Sequence, residues 1–184
     1  MKIVTLLGSS RDEGNSEALA QHVCAGLDVE WIKLRDLHIK PVVDQRHDES
    51  GFTPVIDDYD RTIQTVMEAD LIIFATPLYW YGMSGILKNF IDRWSQSLRD
   101  SRYDFRANML NKPCYVLITG GDAVHLTGLP LVQQFNYIFD FMSMDMKGYI
   151  LGKSGKPGDI INDKNAWMQA SALNTHLKEK GQLN

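Results

Sequence analysis

The fold is decided near the start of the chain, by the stretch Ile3-Val4-Thr5-Leu6-Leu7-Gly8-Ser9-Ser10-Arg11-Asp12-Glu13-Gly14-Asn15-Ser16. Its first five residues are typical of a short strand that is buried on both faces. A turn rich in glycine, serine and asparagine follows, and apolar residues then recur at helical spacing over 17–23. This order of strand, polar turn and helix predicts an anion site, because free N–H groups and the helix dipole point at the turn.

The turn also offers side chains that suit phosphate oxygens. Hydroxyl, amide and guanidinium donors come from Ser9, Ser10, Ser16, Asn15 and Arg11. An ordinary strand-to-helix turn is the simpler alternative, because serine, asparagine and glycine are favoured there anyway. The ATP/GTP loop is excluded because Asn15 stands where that motif requires lysine, and the dinucleotide motif G-x-G-x-x-G is absent. We interpret this turn as a phosphate-binding loop.

Length and composition narrow the class of protein. The 184 residues predict a single domain, and the 44% hydrophobic and 23% charged fractions are ordinary for a soluble globular protein. A net charge of −4 gives no reason to expect nucleic-acid or membrane partners, and no apolar run suits a membrane span or a signal peptide. The two cysteines fit a reducing compartment. We therefore expect a cytoplasmic protein.

Strand-like apolar runs alternate with helical patterns along the chain. We predict strands at 3–7, 29–34, 71–75, 113–118 and 146–151, and helices at 17–23, 54–68, 83–94, 130–142 and from about 166. This alternation predicts an α/β fold with a doubly wound, five-stranded parallel sheet, strand order 2-1-3-4-5 and helices on both faces. The polar stretches 36–53 and 96–112 are expected to be loops, and the first is long enough to cover a site or contact a partner.

Two more loops are expected beside the phosphate-binding loop, because this strand order brings the carboxyl ends of the first, third and fourth strands together. One loop is aromatic and contains Pro77, Leu78, Tyr79 and Trp80. The other contains Thr119, Gly120 and Gly121, and its paired glycines would let a ligand approach the backbone closely. The alternative for the aromatic loop is a hinge between strand and helix, and the alternative for the glycine loop is a simple turn. Together the three loops predict a phosphorylated, flat, conjugated ligand.

Three motifs resemble those of a known family: G-S-S-R-x-x-G-N-S at 8–16, A-D-L-I-I-F-A-T-P-L-Y-W at 69–80 and G-x-L-K-N-F-I-D-R at 85–93. Over nearly its whole length the chain resembles the flavodoxin-like NAD(P)H-dependent FMN reductases and NAD(P)H:quinone-type oxidoreductases. The resemblance implies FMN as the cofactor, NADPH or NADH as the co-substrate, and a homodimer with flavin sites near its interface. The electron acceptor would be a quinone, a nitro compound, a free flavin or a similar small molecule.

The resemblance also implies roles for individual residues. The FMN phosphate would be held by Ser9, Arg11, Asn15 and Ser16, with Ser10 beside them. The isoalloxazine would be lined by Pro77, Leu78, Tyr79 and Trp80, and its polar edge contacted by Thr119, Gly120 and Gly121. The signature residues of the third motif are expected to position their helix rather than take part in the chemistry: Lys88, Asn89, Asp92 and Arg93.

Other functions remain as alternatives. The iron–sulfur flavoproteins, a sister group, carry a cysteine cluster after the second strand, whereas 40–48 contains no cysteine. Thiolates are required ligands for such clusters, so we predict no iron–sulfur cluster and no metal site. A flavodoxin-type one-electron carrier and a regulatory module without flavin are the rival functions. His125 follows the paired glycines and is the candidate proton donor, with a surface histidine as the alternative.

Overall fold

A computed structural model of the protein describes residues 1–121 and 123–182. Asp122, at the end of the predicted glycine loop, lies outside the described residues. The strands are β1 Ile3–Leu7, β2 Val29–Lys33, β3 Leu71–Pro77, β4 Pro113–Gly120 and β5 Asp145–Lys153. They form one parallel sheet in the order β2-β1-β3-β4-β5, which confirms the predicted topology.

Helices cover both faces of the sheet. They are α1 Asn15–Val23, α2 Tyr59–Met67, α3 Gly85–Asp92, α4 Trp94–Ser97, α5 Phe105–Met109, α6 Val124–Thr127, α7 Leu129–Met142 and α8 Lys164–Gln182, with 3-10 turns at Leu34–Asp36 and Asp159–Asn162. β1 and β3 are buried along their length because each lies between strands and beneath helices on both sides.

Two hydrophobic cores lie on opposite sides of the sheet. Alternate side chains of β1 point to opposite faces, so Ile3 and Leu7 pack with α1 and α8 on one side. On the other side the core includes α2, α3 and α7, and the ring of Phe74 lies 5.2 Å from that of Phe139 and 5.7 Å from that of Phe135. These cores fix the strand ends that support the loops described below.

The second predicted helix begins later than the sequence indicated. It starts at Tyr59 rather than at Pro54, and Ile56, within the predicted helix 54–68, is 94% exposed. Asp57 and Asp58 cause the difference, because their carboxylates accept hydrogen bonds from the N–H groups of Lys40 and His38 and hold 54–58 outside the helix. We call residues 37–58 the β2–α2 loop.

The polar stretch 96–112 is not a single loop. It contains the short helix α5, whose first turn is capped by Asp104 through the N–H of Ala107 at 2.9 Å. Phe105 and Met109 of this helix are buried in the core. Two inward residues are too few to produce a periodic signal in the sequence. Within residues 1–121 and 123–182, no helix combines the length and the apolar character needed to cross a membrane.

Candidate functional site

The loops at the carboxyl ends of β1, β3, β4 and β5 line one cleft of about 230 Å³, which we call the carboxyl-edge cleft. Most of the predicted site residues lie in its walls: Ser9, Arg11, Asn15, Ser16, Pro77, Leu78, Tyr79, Thr119, Gly120 and Gly121. The cleft also includes Gly14, Ser154 and Gly155, which sequence reasoning did not identify as site residues. Ser10 is exposed and does not line it.

The phosphate-binding loop is held in shape by its own serine. Ser9 is buried, and its Oγ donates to the carbonyl of Arg11 at 3.0 Å and accepts from the N–H of Arg11 at 3.1 Å. Gly14 precedes α1 in an extended conformation and provides no side-chain cap. The N–H groups of the first turn have no carbonyl partner within their own helix, so they remain available to an anion.

Asn15 lines the cleft but also joins two loops. Its Nδ2 donates to the carbonyl of Lys156 at 2.8 Å, and its Oδ1 accepts from the N–H of Ile160 at 3.3 Å. This differs from the predicted role, because the amide oxygen and one N–H are already engaged. The N–H of Ser154 donates to the carbonyl of Gly120 at 2.6 Å, which adds the loop after β5 to the cleft. The only sequence feature that could have indicated this loop is its content of glycine and lysine directly after a predicted strand.

Charged residues from the end of β2 lie behind the phosphate-binding loop. Glu17, in the first turn of α1, is 2% exposed. Its carboxylate lies 3.3 Å from Lys33 Nζ and 3.0 Å from Arg35 Nη1. Arg35 also contacts Asp12, and the charge of Arg35 followed by that of Lys33 keeps the pKa of Asp12 below its usual range. Asp36 Oδ1 lies 3.8 Å from Arg35 Nε, so these groups form a five-residue ion cluster that sequence reasoning missed.

The aromatic loop turns its tip away from the cleft. Tyr79 and Gly82 exchange two backbone hydrogen bonds of 3.0 Å, which closes a tight turn. Trp80 and Tyr81 occupy the central positions with φ of 49° and 62°, in the left-handed region. The Trp80 side chain is therefore directed outward and is 96% exposed, so the structure does not bring it into the cleft as predicted. Only Tyr79 among these three aromatics lines the wall.

Close packing leaves little room for a side chain at two glycines on the edges of the site. A Cβ at Gly8 would lie 2.9 Å from Leu87 Cβ, so α3 can approach β1 only over a glycine. A Cβ at Gly120 would lie 3.1 Å from Leu78 Cβ and from Val124 Cγ2. The N–H of Leu78 donates to the carbonyl of Thr119 at 2.8 Å, which joins the aromatic and glycine loops. The two loops therefore form one continuous wall.

His125 lies outside the carboxyl-edge cleft. Ala123 has a left-handed φ of 58° and reverses the chain, and Val124 is buried, so His125 is directed to the other side of α6. It lines a second cavity of about 520 Å³ together with Lys153 and Lys164, which we call the His125 cavity. Ser154 and Gly155 line both spaces, so the two are neighbours across this short segment.

Arg93 of the third sequence motif holds the β2–α2 loop. Its Nη1 donates to Asp57 Oδ2 at 2.6 Å and to the carbonyl of Lys40 at 3.0 Å, and its guanidinium lies 4.4 Å from the centre of the Tyr59 ring. Asn89 donates to the carbonyl of Ile39 at 2.6 Å. Burial alone would raise the pKa of Asp57, but hydrogen bonds from Arg93 and from backbone N–H groups outweigh it and lower that pKa.

These contacts lie away from the cleft, and Lys88 pairs with Asp92 along the surface of α3 at 2.6 Å. Within the described part of the chain, no group of three histidine, cysteine, aspartate or glutamate side chains is arranged to hold a metal ion.

Comparison with known proteins identifies the family. The family model for NADPH-dependent FMN reductases matches residues 1–153. The chain is 50% identical over 174 residues to the NAD(P)H-dependent FMN-containing oxidoreductase YwqN of Bacillus subtilis (strain 168), covering 94% of this chain and 96% of that protein. It is 32% identical over 167 residues to an iron–sulfur flavoprotein of Archaeoglobus fulgidus, covering 89% and 75%. The solved structure of the Trp repressor binding protein from Bacillus subtilis matches with a TM-score of 0.79 at 44% identity, covering 93% and 96%. The chain therefore belongs to the family of NADPH-dependent FMN reductases.

Proposed function

We propose that this oxidoreductase passes electrons from NADPH or NADH, by way of FMN in the carboxyl-edge cleft, to a quinone, a nitro compound, a free flavin or a similar small molecule. One observation carries the proposal: the phosphate-binding loop, the wall at 77–79 and the backbone at 119–121 line a single cleft. A site with one phosphate end and one flat apolar wall suits a mononucleotide with a conjugated ring.

The residues present fit FMN. First-turn N–H groups of α1, the guanidinium of Arg11 and the hydroxyl of Ser16 meet at the phosphate end. Charge-assisted hydrogen bonds from such donors are the strong ones available to phosphate. A Cβ at Gly121 would touch nothing within 4 Å, so the protein itself leaves room beside this backbone for a ligand edge.

FMN held in the cleft would supply the redox chemistry, the transfer of electrons from NAD(P)H to the acceptor. Pro77 and Leu78 would provide an apolar wall for its ring, and the backbone at 119–121 would face its polar edge. No protein nucleophile is needed. Burial raises the pKa of Cys24 to about 11 and that of Cys114 to about 12, so both remain protonated thiols.

His125 enters the proposal as a contact for the co-substrate. The His125 cavity adjoins the cleft across Ser154 and Gly155, so a molecule stacked on the flavin could extend a polar part into it. Asp159 and Asp163 also line this cavity, but their carboxylates accept N–H groups of the surrounding backbone. We therefore assign His125 to the recognition of a polar substituent rather than to proton donation within the cleft.

A homodimer and a cytoplasmic location complete the proposal. The exposed rings of Trp80 and Tyr81 beside the cleft support a second copy that completes the substrate site. The two cysteines of the chain are unbridged, which suits a reducing compartment. Sedimentation and cell fractionation test these two points.

The deciding experiment is anaerobic stopped-flow absorbance of the purified holoprotein. We expect NADPH or NADH to bleach the bound flavin directly, and a quinone or nitro compound to restore its colour. Reduction by dithionite through a stable one-electron state, with no reaction of either nicotinamide within minutes, would contradict this proposal and identify a one-electron carrier.

A further inference from the structure

The phosphate-binding loop carries the wrong charge for its ligand. Between residues 8 and 17 the chain has Arg11 against Asp12, Glu13 and Glu17, which is one positive and three negative charges, or −2. Glu17 matters most, because it is 2% exposed and lies in the first turn of α1. Repulsion between a buried carboxylate and a phosphate dianion is weakly screened by solvent. The loop by itself would therefore disfavour the phosphate that its N–H groups suit.

The missing positive charge comes from the end of β2. Lys33 is paired in register with Leu7, the last residue of β1, and Arg35 lies in the 3-10 turn that follows. Lys33 Nζ lies 3.3 Å from Glu17 Oε1 and 3.6 Å from Asp12 Oδ1. Arg35 Nη1 lies 3.0 Å from Glu17 Oε2, and its Nη2 contacts Asp12. These two positive charges cancel the −2 of residues 8–17. Asp36 Oδ1 also lies 3.8 Å from Arg35 Nε, but its side chain is 64% exposed and its charge is screened by solvent.

The contact between Glu17 and Arg35 is electrostatic in character. Glu17 Oε2 and Arg35 Nη1 are close, yet they do not have hydrogen-bond geometry, and both atoms are buried without a hydrogen-bond partner. At this distance the opposite charges attract each other strongly, because both groups are shielded from water.

We infer that Lys33 and Arg35 are positioning residues for the cofactor phosphate: they cancel the charge of Glu17 and Asp12, so the phosphate-binding loop can accept a dianion. This inference rests on the proposed function, in which the FMN phosphate occupies that loop. It makes the end of β2 part of the cofactor site although neither side chain lines the cleft.

Riboflavin provides the test, because it has the same ring as FMN and no phosphate. The variants are Arg35→Met, Glu17→Gln, the double variant, and Arg46→Met as a matched control in an exposed Arg–Asp pair. Dissociation constants for FMN and riboflavin are measured by flavin fluorescence for each variant. Arg35→Met should weaken FMN binding about tenfold while riboflavin binding changes by less than about twofold. Higher salt should reduce this difference.

Glu17→Gln supplies a prediction of opposite sign. Removal of this carboxylate leaves Lys33 and Arg35 in excess, so FMN should bind as tightly as in the wild type or more tightly. The double variant should recover FMN affinity to within about threefold of the wild type, because one charge of each sign is removed. Arg46→Met should leave both dissociation constants unchanged.

The outcomes separate this inference from the proposed function. If the wild type binds riboflavin and FMN equally, no phosphate site exists in the loop and both proposals fail. If the wild type prefers FMN but Arg35→Met loses affinity for both flavins equally, Arg35 serves the fold and the inference alone fails. Failure of Glu17→Gln to restore FMN binding in the double variant would overturn the inference as well.

Discussion

Two of the arginine-centred ion clusters in the described residues differ in their surroundings. Arg93 and Asp57 form the first, beneath the β2–α2 loop, with side chains that are 1% and 0% exposed. Arg35 forms the second with Glu17 and Asp12, beside the phosphate-binding loop, where the Asp12 side chain is 72% exposed. We call the first the sealed cluster: its Arg93 binds Asp57 and the carbonyl of Lys40, both in the β2–α2 loop. The second cluster lies beside the carboxyl-edge cleft.

The difference shows how one type of contact can serve two purposes. In the sealed cluster neither charge can be solvated by water if its partner is removed. A mutation there should therefore lower the free energy of unfolding. Beside the cleft Glu17 is equally buried, but it has a second cation, Lys33 Nζ at 3.3 Å, so the loss of Arg35 leaves this carboxylate paired. The net charge that remains then acts on a ligand. Stability and cofactor affinity should therefore respond to different arginines.

The largest expected effect follows from removal of the sealed charge. Arg93→Met should lower the free energy of unfolding by about 3–5 kcal/mol, because Asp57 would be left as an unpaired buried carboxylate. Urea denaturation measures the loss. Arg46→Met is the matched control, since Arg46 pairs with Asp44 where both side chains are exposed, and its loss should cost no more than about 1 kcal/mol. Equal losses in the two variants would contradict the distinction.

The second effect concerns the ligand rather than the fold. Arg11 is exposed and lines the phosphate end of the cleft, so Arg11→Ala should weaken FMN binding by about 1.5–3 kcal/mol through the loss of a charge-assisted hydrogen bond. The free energy of unfolding without flavin should change by less than about 0.5 kcal/mol. Fluorescence titration measures the affinity. Unchanged FMN binding would remove Arg11 from the site.

The sequence was sufficient for the features that depend on local pattern. Alternating apolar runs predicted the sheet order, and the shared edge of parallel strands predicted that three loops would meet in one cleft. The start of α2 was predicted too early, because the groups that hold Asp57 outside the helix are distant along the chain: the N–H of Lys40 and the guanidinium of Arg93, 36 residues away. No local pattern contains that information.

Side-chain direction was also beyond the sequence. Trp80 faces solvent because Trp80 and Tyr81 both adopt a positive φ, a backbone conformation that residues other than glycine rarely take. The ion cluster around Glu17 depends on the end of β2 lying beside α1, so Lys33 and Arg35 could be recognised only once the sheet was known. The loop after β5 carried no specific motif and joins the cleft through Asn15.

A third prediction concerns the strained aromatic tip. Trp80→Gly should raise the free energy of unfolding by about 1 kcal/mol, because glycine accepts the left-handed backbone at no steric cost. Trp80→Ala is the matched control, since it removes the ring but keeps the strain and should leave stability nearly unchanged. Both variants should alter acceptor turnover more than FMN affinity if the ring helps to shape the substrate site. Thermal denaturation and steady-state kinetics distinguish the two effects.

The smallest expected effect tests the position of His125. A general acid within the cleft contributes about 100-fold or more to the rate, so its loss would be severe. His125 lies instead in the neighbouring cavity, beyond Ser154 and Gly155. His125→Gln should therefore reduce kcat/KM for NADPH by less than about tenfold, chiefly through KM, as expected for the loss of one hydrogen bond to a polar substituent. FMN affinity should not change.

His176→Gln, at a surface position on α8, is the control and should behave as the wild type. A 100-fold fall in kcat with KM unchanged would show that His125 reaches the reacting atoms, and the assignment to co-substrate recognition would then be wrong.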